Sequence, residues 1–174
     1  MRVMTKKWIN HKLPAIIAAT TVLSMLLATG AGAEPAGSDD ADISAAAVKE
    51  PGALTTPPPP EHFITSFASF TYLNNCYASA SLVNSTTVAL KASTYAKQSV
   101  DKIGVDLTLQ RWTGSAWVDM ETRRFLDTGN STISGDYNGT VITGYYYRAK
   151  AYHTVYQGSA FEQTTTYSPQ VLAK

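Results

Sequence analysis

The sequence has little of what common enzyme and metal chemistry requires. It holds one cysteine, Cys76, and three histidines, which excludes an internal disulfide and argues against a histidine metal site. It contains no HExxH pair, no GxSxG turn and no glycine-rich phosphate loop. Because no nucleophile and base can be matched, we expect no catalytic activity, no metal and no cofactor.

A strong excess of charge of one sign is also missing. Lys and Arg together number 14, and Asp and Glu number 13. Four of the basic residues lie within the first 33 positions, which leaves ten basic against thirteen acidic residues, a net charge of −3, for the remainder. This balance favours neither nucleic acid nor a membrane surface as a partner.

The first 33 residues are typical of a secretory signal peptide. A basic start is followed by an apolar core over 13–27 and by the small residues Ala31-Gly32-Ala33. The core has about 15 residues, whereas a spanning helix needs roughly 20. We predict cleavage after Ala33 and a secreted chain without stable membrane insertion. A retained membrane anchor is the alternative.

Residues 34–61 have the composition of a linker. They contain no aromatic side chain and few aliphatic ones, so they bury too little apolar surface to offset the entropy of ordering. Pro57–Pro60 favours a short polyproline II rod. We predict a disordered tether, with a docking site for a proline-binding partner as the alternative.

Residues 62–174 form the predicted domain. All ten tyrosines and all five phenylalanines lie here among many Thr, Ser and Val, a composition that favours strands. Short runs bounded by Gly, Asn and Asp indicate strands near 64–72, 77–83, 87–95, 102–112, 117–125, 131–142, 144–156 and 160–171. In the first run, Phe63, Phe67 and Phe70 also fit a helix face. The fold class expected is an all-β antiparallel sandwich.

The stretch 101–120 organises the domain. Its aliphatic residues alternate with polar ones, turn through 113–116 and resume, which is typical of a β-hairpin with one dry face. The inward residues predicted by this parity are Ile103, Val105, Leu107, Leu109, Val118 and Met120. A later strand contributes Tyr145, Tyr147, Ala149 and Ala151, and the facing sheet contributes Val88, Leu90 and Ala92. Tyr145 is the candidate for a tyrosine corner, in which the hydroxyl bonds to backbone.

Two stretches carry a family resemblance. LQRWTGSAWVDM, 109–120, resembles the C–C′ hairpin of fibronectin type III-like domains, and GYYYRAKAYHTVYQG, 144–158, resembles their F strand. Together the blocks are similar to an uncharacterised family of small secreted proteins of Gram-positive bacteria. The resemblance implies an Ig-like or fibronectin type III-like sandwich and bacterial secretion, and it supplies no catalytic residue.

Parity also predicts an outward surface. The C and F strands are neighbours in fibronectin type III-like domains, so the resemblance implies one continuous patch of six residues. These are Trp112, Trp117, Tyr146, Arg148, Lys150 and Tyr152. Aromatic side chains surrounded by polar donors suit a sugar or a protein partner. The alternative is that the aromatic pairs only stabilise the sheet.

Three smaller features have structural interpretations that outweigh functional ones. Asp127 with Asn130, and Asp136 with Asn138, fit turns better than calcium sites. The carboxylates Asp106, Asp119 and Glu121 fit a solvated face better than a glycosidase pair. Cys76 fits a buried thiol better than an intermolecular disulfide.

The leading hypothesis is a non-catalytic secreted binding or adhesion module for a cell-wall glycan or a protein, monomeric in solution. The runner-up is a structural or self-associating component of an extracellular or spore layer. An enzyme of unrecognised type is third. An exposed aromatic face favours binding, and an unprotected edge strand favours assembly.

Overall fold

The computed structural model describes residues 48–61 and 66–174. The predicted signal peptide, the first part of the predicted linker and His62 lie outside these residues. The described chain contains eight strands and no helix, and thus no helix able to cross a membrane. The strands are β1 (Leu73–Asn84), β2 (Thr87–Ala96), β3 (Lys102–Trp112), β4 (Trp117–Asp127), β5 (Thr132–Thr140), β6 (Tyr146–Gln157), β7 (Ala160–Tyr167) and β8 (Val171–Leu172).

Two antiparallel sheets pack face to face, so the predicted all-β sandwich is confirmed. One sheet has the order β1-β2-β5, and the other has the order β4-β3-β6-β7 with β8 paired to β6. Seven of the eight predicted runs coincide with these strands. The run 64–72 is wrong over its described part, where 68–69 form a turn and Phe67 packs against Phe70 with ring centroids 6.1 Å apart.

The core lies where alternation predicts it. Val105, Leu107 and Leu109 of β3 are buried, as are Tyr147 and Ala149 of β6. The facing sheet contributes Val88, Leu90 and Ala92, also buried. Small alanines opposite larger side chains let the two sheets interdigitate. The inward assignment of these strands is therefore confirmed.

Val118 and Met120, which parity assigns to the inner face, do not belong to the core, since they are 43% and 48% exposed. Leu109 pairs with Glu121 while Gln110 pairs with Asp119, which leaves Met120 as the extra residue of a β-bulge. Val118 lies before the bulge and pairs with Arg111, opposite Tyr147, so its direction is as predicted. It is exposed because β4 is the outermost strand of its sheet.

The role predicted for Tyr145, a hydroxyl bonded to the backbone before β6, belongs to Tyr147. The Tyr147 hydroxyl donates to the Ile142 carbonyl at 3.1 Å and accepts the Ile142 N–H at 2.9 Å. Tyr145 instead lies under the Arg111 guanidinium, 5.0 Å from ring centroid to carbon. The two tyrosines expected in the core thus have different roles, because the Tyr147 hydroxyl reaches the loop before β6 and Tyr145 stacks with Arg111.

His153 links the two sheets from within the core. It is fully buried on β6, and its Nδ1 lies 2.7 Å from the Thr94 hydroxyl on β2. Its Nε2 lies 2.8 Å from the Thr166 hydroxyl on β7. The Thr94 hydroxyl donates to the Gly104 carbonyl at 3.1 Å, so Nδ1 carries the imidazole proton. Burial lowers the pKa of His153 to about 4.

The described end of the predicted linker is packed against the sandwich. We call residues 48–61 the strap. Ala53 and Pro58 are buried, and the Leu54 N–H donates to the Gly144 carbonyl at 2.6 Å. The packed part of the described chain accordingly includes residues 48–61 as well as residues of the predicted domain. A free tether is therefore the wrong description of 48–61.

Candidate functional site

The six residues of the predicted patch share the outer face of the five-stranded sheet. Trp112 pairs with Trp117 across β3 and β4, and their ring centroids are 5.5 Å apart. On β6, Arg148, Lys150 and Tyr152 lie opposite Gln110, Thr108 and Asp106 of β3. Parity therefore predicted the common face correctly.

Half of the patch is not accessible. Trp112, Tyr146 and Arg148 are 6%, 2% and 7% exposed, against the expectation of an open surface. Trp112 and Tyr146 belong to a second apolar cluster with Ala53 of the strap and Leu172 of β8. Strand alternation predicts the face of the sheet on which a side chain lies, but it does not predict which other part of the chain covers that face.

One glycine lets the strap come close. Gly144 has a φ of 93°, in the left-handed region that L side chains seldom adopt. A Cβ at this position would lie 2.6 Å from Leu54 Cγ. The same residue donates its N–H to the Ala173 carbonyl at 2.6 Å and so joins the strap to the C-terminal strand.

Arg148 is the centre of the remaining polar surface. Its guanidinium carbon lies 4.2 Å from the ring centroid of Trp117 and 4.3 Å from that of Tyr167. Its Nε donates to Gln110 Oε1 at 2.7 Å, and it forms an ion pair with Glu61 at the end of the strap. A buried cation needs this compensation, and the strap carboxylate supplies the charge.

The polar network continues towards Lys150. Gln110 donates to Asp119 Oδ1 at 2.6 Å, and Lys150 donates to Asp119 Oδ2 at 2.9 Å. Burial acts to raise the pKa of Asp119, but the bonds from Gln110 and Lys150 outweigh it and hold this pKa below its usual value. The network therefore carries charges of both signs from the strap across β6 and β3 to β4.

A cleft of about 620 Å³ lies between the strap and the C-terminal residues, and we call it the strap cleft. Its lining residues are Pro58, Pro59, Pro60, Glu61, Trp117, Arg148, Tyr167, Ser168, Pro169 and Gln170. The buried Trp117 Nε1 has no hydrogen-bond partner among the described residues. Proline and aromatic rings thus form its walls, with the Arg148–Glu61 pair beside them.

Tyr152 lies at the other end of the same face, which the strap does not line. A small cleft of about 120 Å³ there includes Tyr152, Tyr156 and Phe161. The Tyr156 and Phe161 ring centroids are 4.6 Å apart, and Lys102 Nζ lies 5.6 Å from the Tyr156 centroid. Of the six predicted residues, Trp117 and Arg148 therefore line the strap cleft and Tyr152 lines the small one, so they do not form one continuous open patch.

Sequence reasoning missed the residues that complete the strap cleft. Glu61 and Pro58–Pro60 were assigned to a tether, and Tyr167, Pro169 and Gln170 had no assigned role. The one available signal was the Pro run next to an acidic residue in an aromatic-rich chain. Periodicity could not place it, because a polyproline segment has no dry face of its own.

Four of the carboxylates considered for calcium or glycosidase chemistry, Asp106, Asp119, Glu121 and Asp127, have protein partners. Asp106 accepts from Arg124 at 2.7 and 2.6 Å, and Glu121 pairs with Arg123 at 2.9 Å. Asp127 accepts the Thr128 N–H and the Asn130 amide, each at 2.8 Å, as turn residues do. No cluster of three potential metal ligands occurs within 48–61 and 66–174.

Comparison with known proteins leaves the sandwich without an assigned family. No family model and no curated protein matches the sequence. Among solved structures, a protein from Archaeoglobus fulgidus is similar over 59% of this chain and 98% of its own, with 13% identity and a TM-score of 0.33.

Proposed function

We propose that this protein is a non-catalytic secreted binding module whose ligand site is the strap cleft. The observation that supports the proposal is the cleft itself, about 620 Å³ in volume and walled by proline and aromatic rings. That volume is typical of sites that hold a small ligand or part of a polymer. The ligand class is an extracellular glycan or an extended segment of a protein.

The chemistry of the walls supports both ligand classes. Flat aromatic and proline rings offer apolar faces on which a sugar ring or a peptide side chain packs. Gln170 at the exposed rim and Glu61 beside Arg148 offer donors and acceptors that orient a ligand. Because Arg148 is already paired, ligand binding does not require a new counterion in the site.

The origin of the protein is part of the same proposal. The signal-peptide pattern in 1–33 supports secretion, and the resemblance of 109–120 and 144–158 supports a Gram-positive bacterial source. The first stretch lies in β3 and β4, and the second lies in β6. These three strands are neighbours in one sheet. That adjacency supports the fibronectin type III-like assignment.

Tryptophan fluorescence of the exported protein tests the site directly. The sequence has three tryptophans, and one of them, Trp8, lies in the predicted signal peptide. Trp112 and Trp117 are then the only fluorescent indoles, so a ligand that enters the cleft should change their emission. The probes are purified peptidoglycan fragments, soluble glycans and a proline-rich peptide.

Two rim substitutions test which surface binds. Pro169→Ala and Gln170→Ala change exposed residues and should weaken retention on the matrix that binds the native protein. Lys91→Ala, on the outer face of the other sheet, is the matched control. If none of these changes affects retention and the fluorescence does not change either, the ligand binds elsewhere on the protein. No retention on any probe would count against a binding module.

A further inference from the structure

β1 is an edge strand with an unused side. It pairs only with β2, in continuous register from Asn75 to Leu82. Within the described chain, residues 74–83 make no other backbone-to-backbone hydrogen bond. One N–H of this stretch, that of Cys76, donates to the side chain of Asn75 at 2.8 Å. A row of backbone donors and acceptors is therefore available to a further strand.

β1 also lacks the features that normally protect an edge. Its 12 residues, LNNCYASASLVN, include no charged side chain and no proline. The opposite sheet ends in β4, which carries five charged residues and the bulge at Met120. The edge strands β5 and β7 carry Asp136 and Glu162. Of the described edge strands, apart from the two-residue β8, β1 alone has no charge to repel a second strand.

The β1 sequence is compatible with its own copy. The centre, Ala78-Ser79-Ala80-Ser81, is small on both faces, so two copies can approach without a steric clash. An antiparallel pair centred on Ser79 places Tyr77 opposite Ser81, which leaves room for the ring. Tyr77, Leu82 and Val83 are 49%, 39% and 56% exposed, and pairing would cover part of this surface. A two-fold pair brings like charges together, and β1 has none.

We propose that a second copy of this chain pairs with β1 edge to edge, in antiparallel orientation, to give a continuous six-stranded sheet. This dimer differs from the monomer expected from the sequence, and it is independent of the proposed ligand site, which lies on the other sheet. The two-fold relation is closed, because each copy uses the same edge strand, β1. The outcome is a dimer and not a fibre.

Sedimentation equilibrium of the exported protein over a wide concentration range is the test. The buffer contains a reductant, so that a Cys76 disulfide contributes nothing. We expect the native chain to reach twice the monomer mass at high concentration. Ser79→Glu should remain monomeric, because the two carboxylates meet at the axis, while Lys91 opposite residue 79 on β2 favours the fold.

Two controls locate the interface. Thr132→Glu adds the same charge to β5, the other edge of the same sheet, and should dimerise like the native chain. An equimolar mixture of Ser79→Glu and Ser79→Lys should recover the dimer mass, since opposite charges then meet. A native chain that is monomeric throughout, or a Ser79→Glu variant that dimerises as readily as the native chain, would overturn the proposal.

Discussion

The indole N–H of Trp112 donates to the backbone carbonyl of Thr56, 3.1 Å away and 56 residues earlier in the chain. This bond fixes the strap on the outer face of the five-stranded sheet. Strand parity assigns Trp112 to the outer face of the sheet, but the strap covers that face, so Trp112 is buried. The strap thus covers part of the predicted patch, and its residues from Pro58 to Glu61 form one wall of the strap cleft.

Trp112→Phe should destabilise the protein more than Trp117→Phe does. Both changes remove the same volume and an indole N–H, but only the Trp112 N–H has a partner in the described chain. The difference should be about 1 kcal/mol, the usual net value of one hydrogen bond. Urea denaturation measures both free energies of unfolding. Equal losses would mean that the strap is not held by this bond.

Leu107→Ala should cost about 2–5 kcal/mol, as expected for a fully buried leucine. Val118→Ala should cost less than about 0.5 kcal/mol, because Val118 is 43% exposed. Both residues lie on the inner side of their sheet, since Val118 pairs with Arg111 and Arg111 pairs with Tyr147, so the comparison separates the centre of the sheet from its outermost strand. Equally large losses at both positions would mean that Val118 is covered in the folded protein.

Tyr147→Phe should lower stability by about 1 kcal/mol, since it removes the hydroxyl that bonds both to the N–H and to the carbonyl of Ile142. Tyr145→Phe is the matched control, and its loss should be close to zero because the ring that stacks with Arg111 is retained. Thermal unfolding followed by circular dichroism compares the two. A larger loss for Tyr145→Phe would reverse the assignment of the tyrosine corner.

Stability should fall as the pH drops from about 6.5 to about 4, the interval between the ordinary and the folded-state pKa of His153. In this interval the unfolded chain binds a proton at His153 and the folded chain does not, so protonation favours unfolding. The full effect is about 3 kcal/mol at 1.36 kcal/mol per pKa unit. Urea denaturation at several pH values measures it.

His153→Gln, which keeps a donor and an acceptor, is the control for this pH dependence. Its stability should vary less between pH 6.5 and 4.5 than that of the native chain. The lowered pKa values of Asp119 and Glu162 act at more acidic pH, because their ordinary values are 3.8 and 4.5. An identical pH profile for the variant would assign the titration to another group.

Much of the fold could be predicted from the sequence because strand periodicity is local. Alternation in 103–109 and 145–151 identifies the inner face without knowledge of the partner strands. The turns between runs are marked by Gly, Asn and Asp, whose backbone preferences are also local. The same alternation places Trp112, Arg148 and Lys150 on one outer face, which the sheet register bears out.

The rest depends on contacts between distant parts of the chain. The bulge at Met120 arises where β4 pairs with β3, and the Tyr147 hydroxyl finds its partner only when the loop before β6 is in place. Residues 48–61 have too few apolar side chains to fold alone, so composition predicts disorder. They become ordered where a sheet already offers Trp112, Gly144 and Arg148 as partners.

The sequence by itself thus determined seven of the strands, the inner faces of β2, β3 and β6 and the lack of charge in β1, since each follows from residue type and a period of two. That β1 lies at an edge follows from the sheet order. Only the tertiary structure decided that the strap covers Trp112 and Tyr146, that Glu61 neutralises Arg148 and that a cleft lies between them. The physical reason is that local pattern fixes the direction of a side chain, whereas long-range packing fixes what it meets.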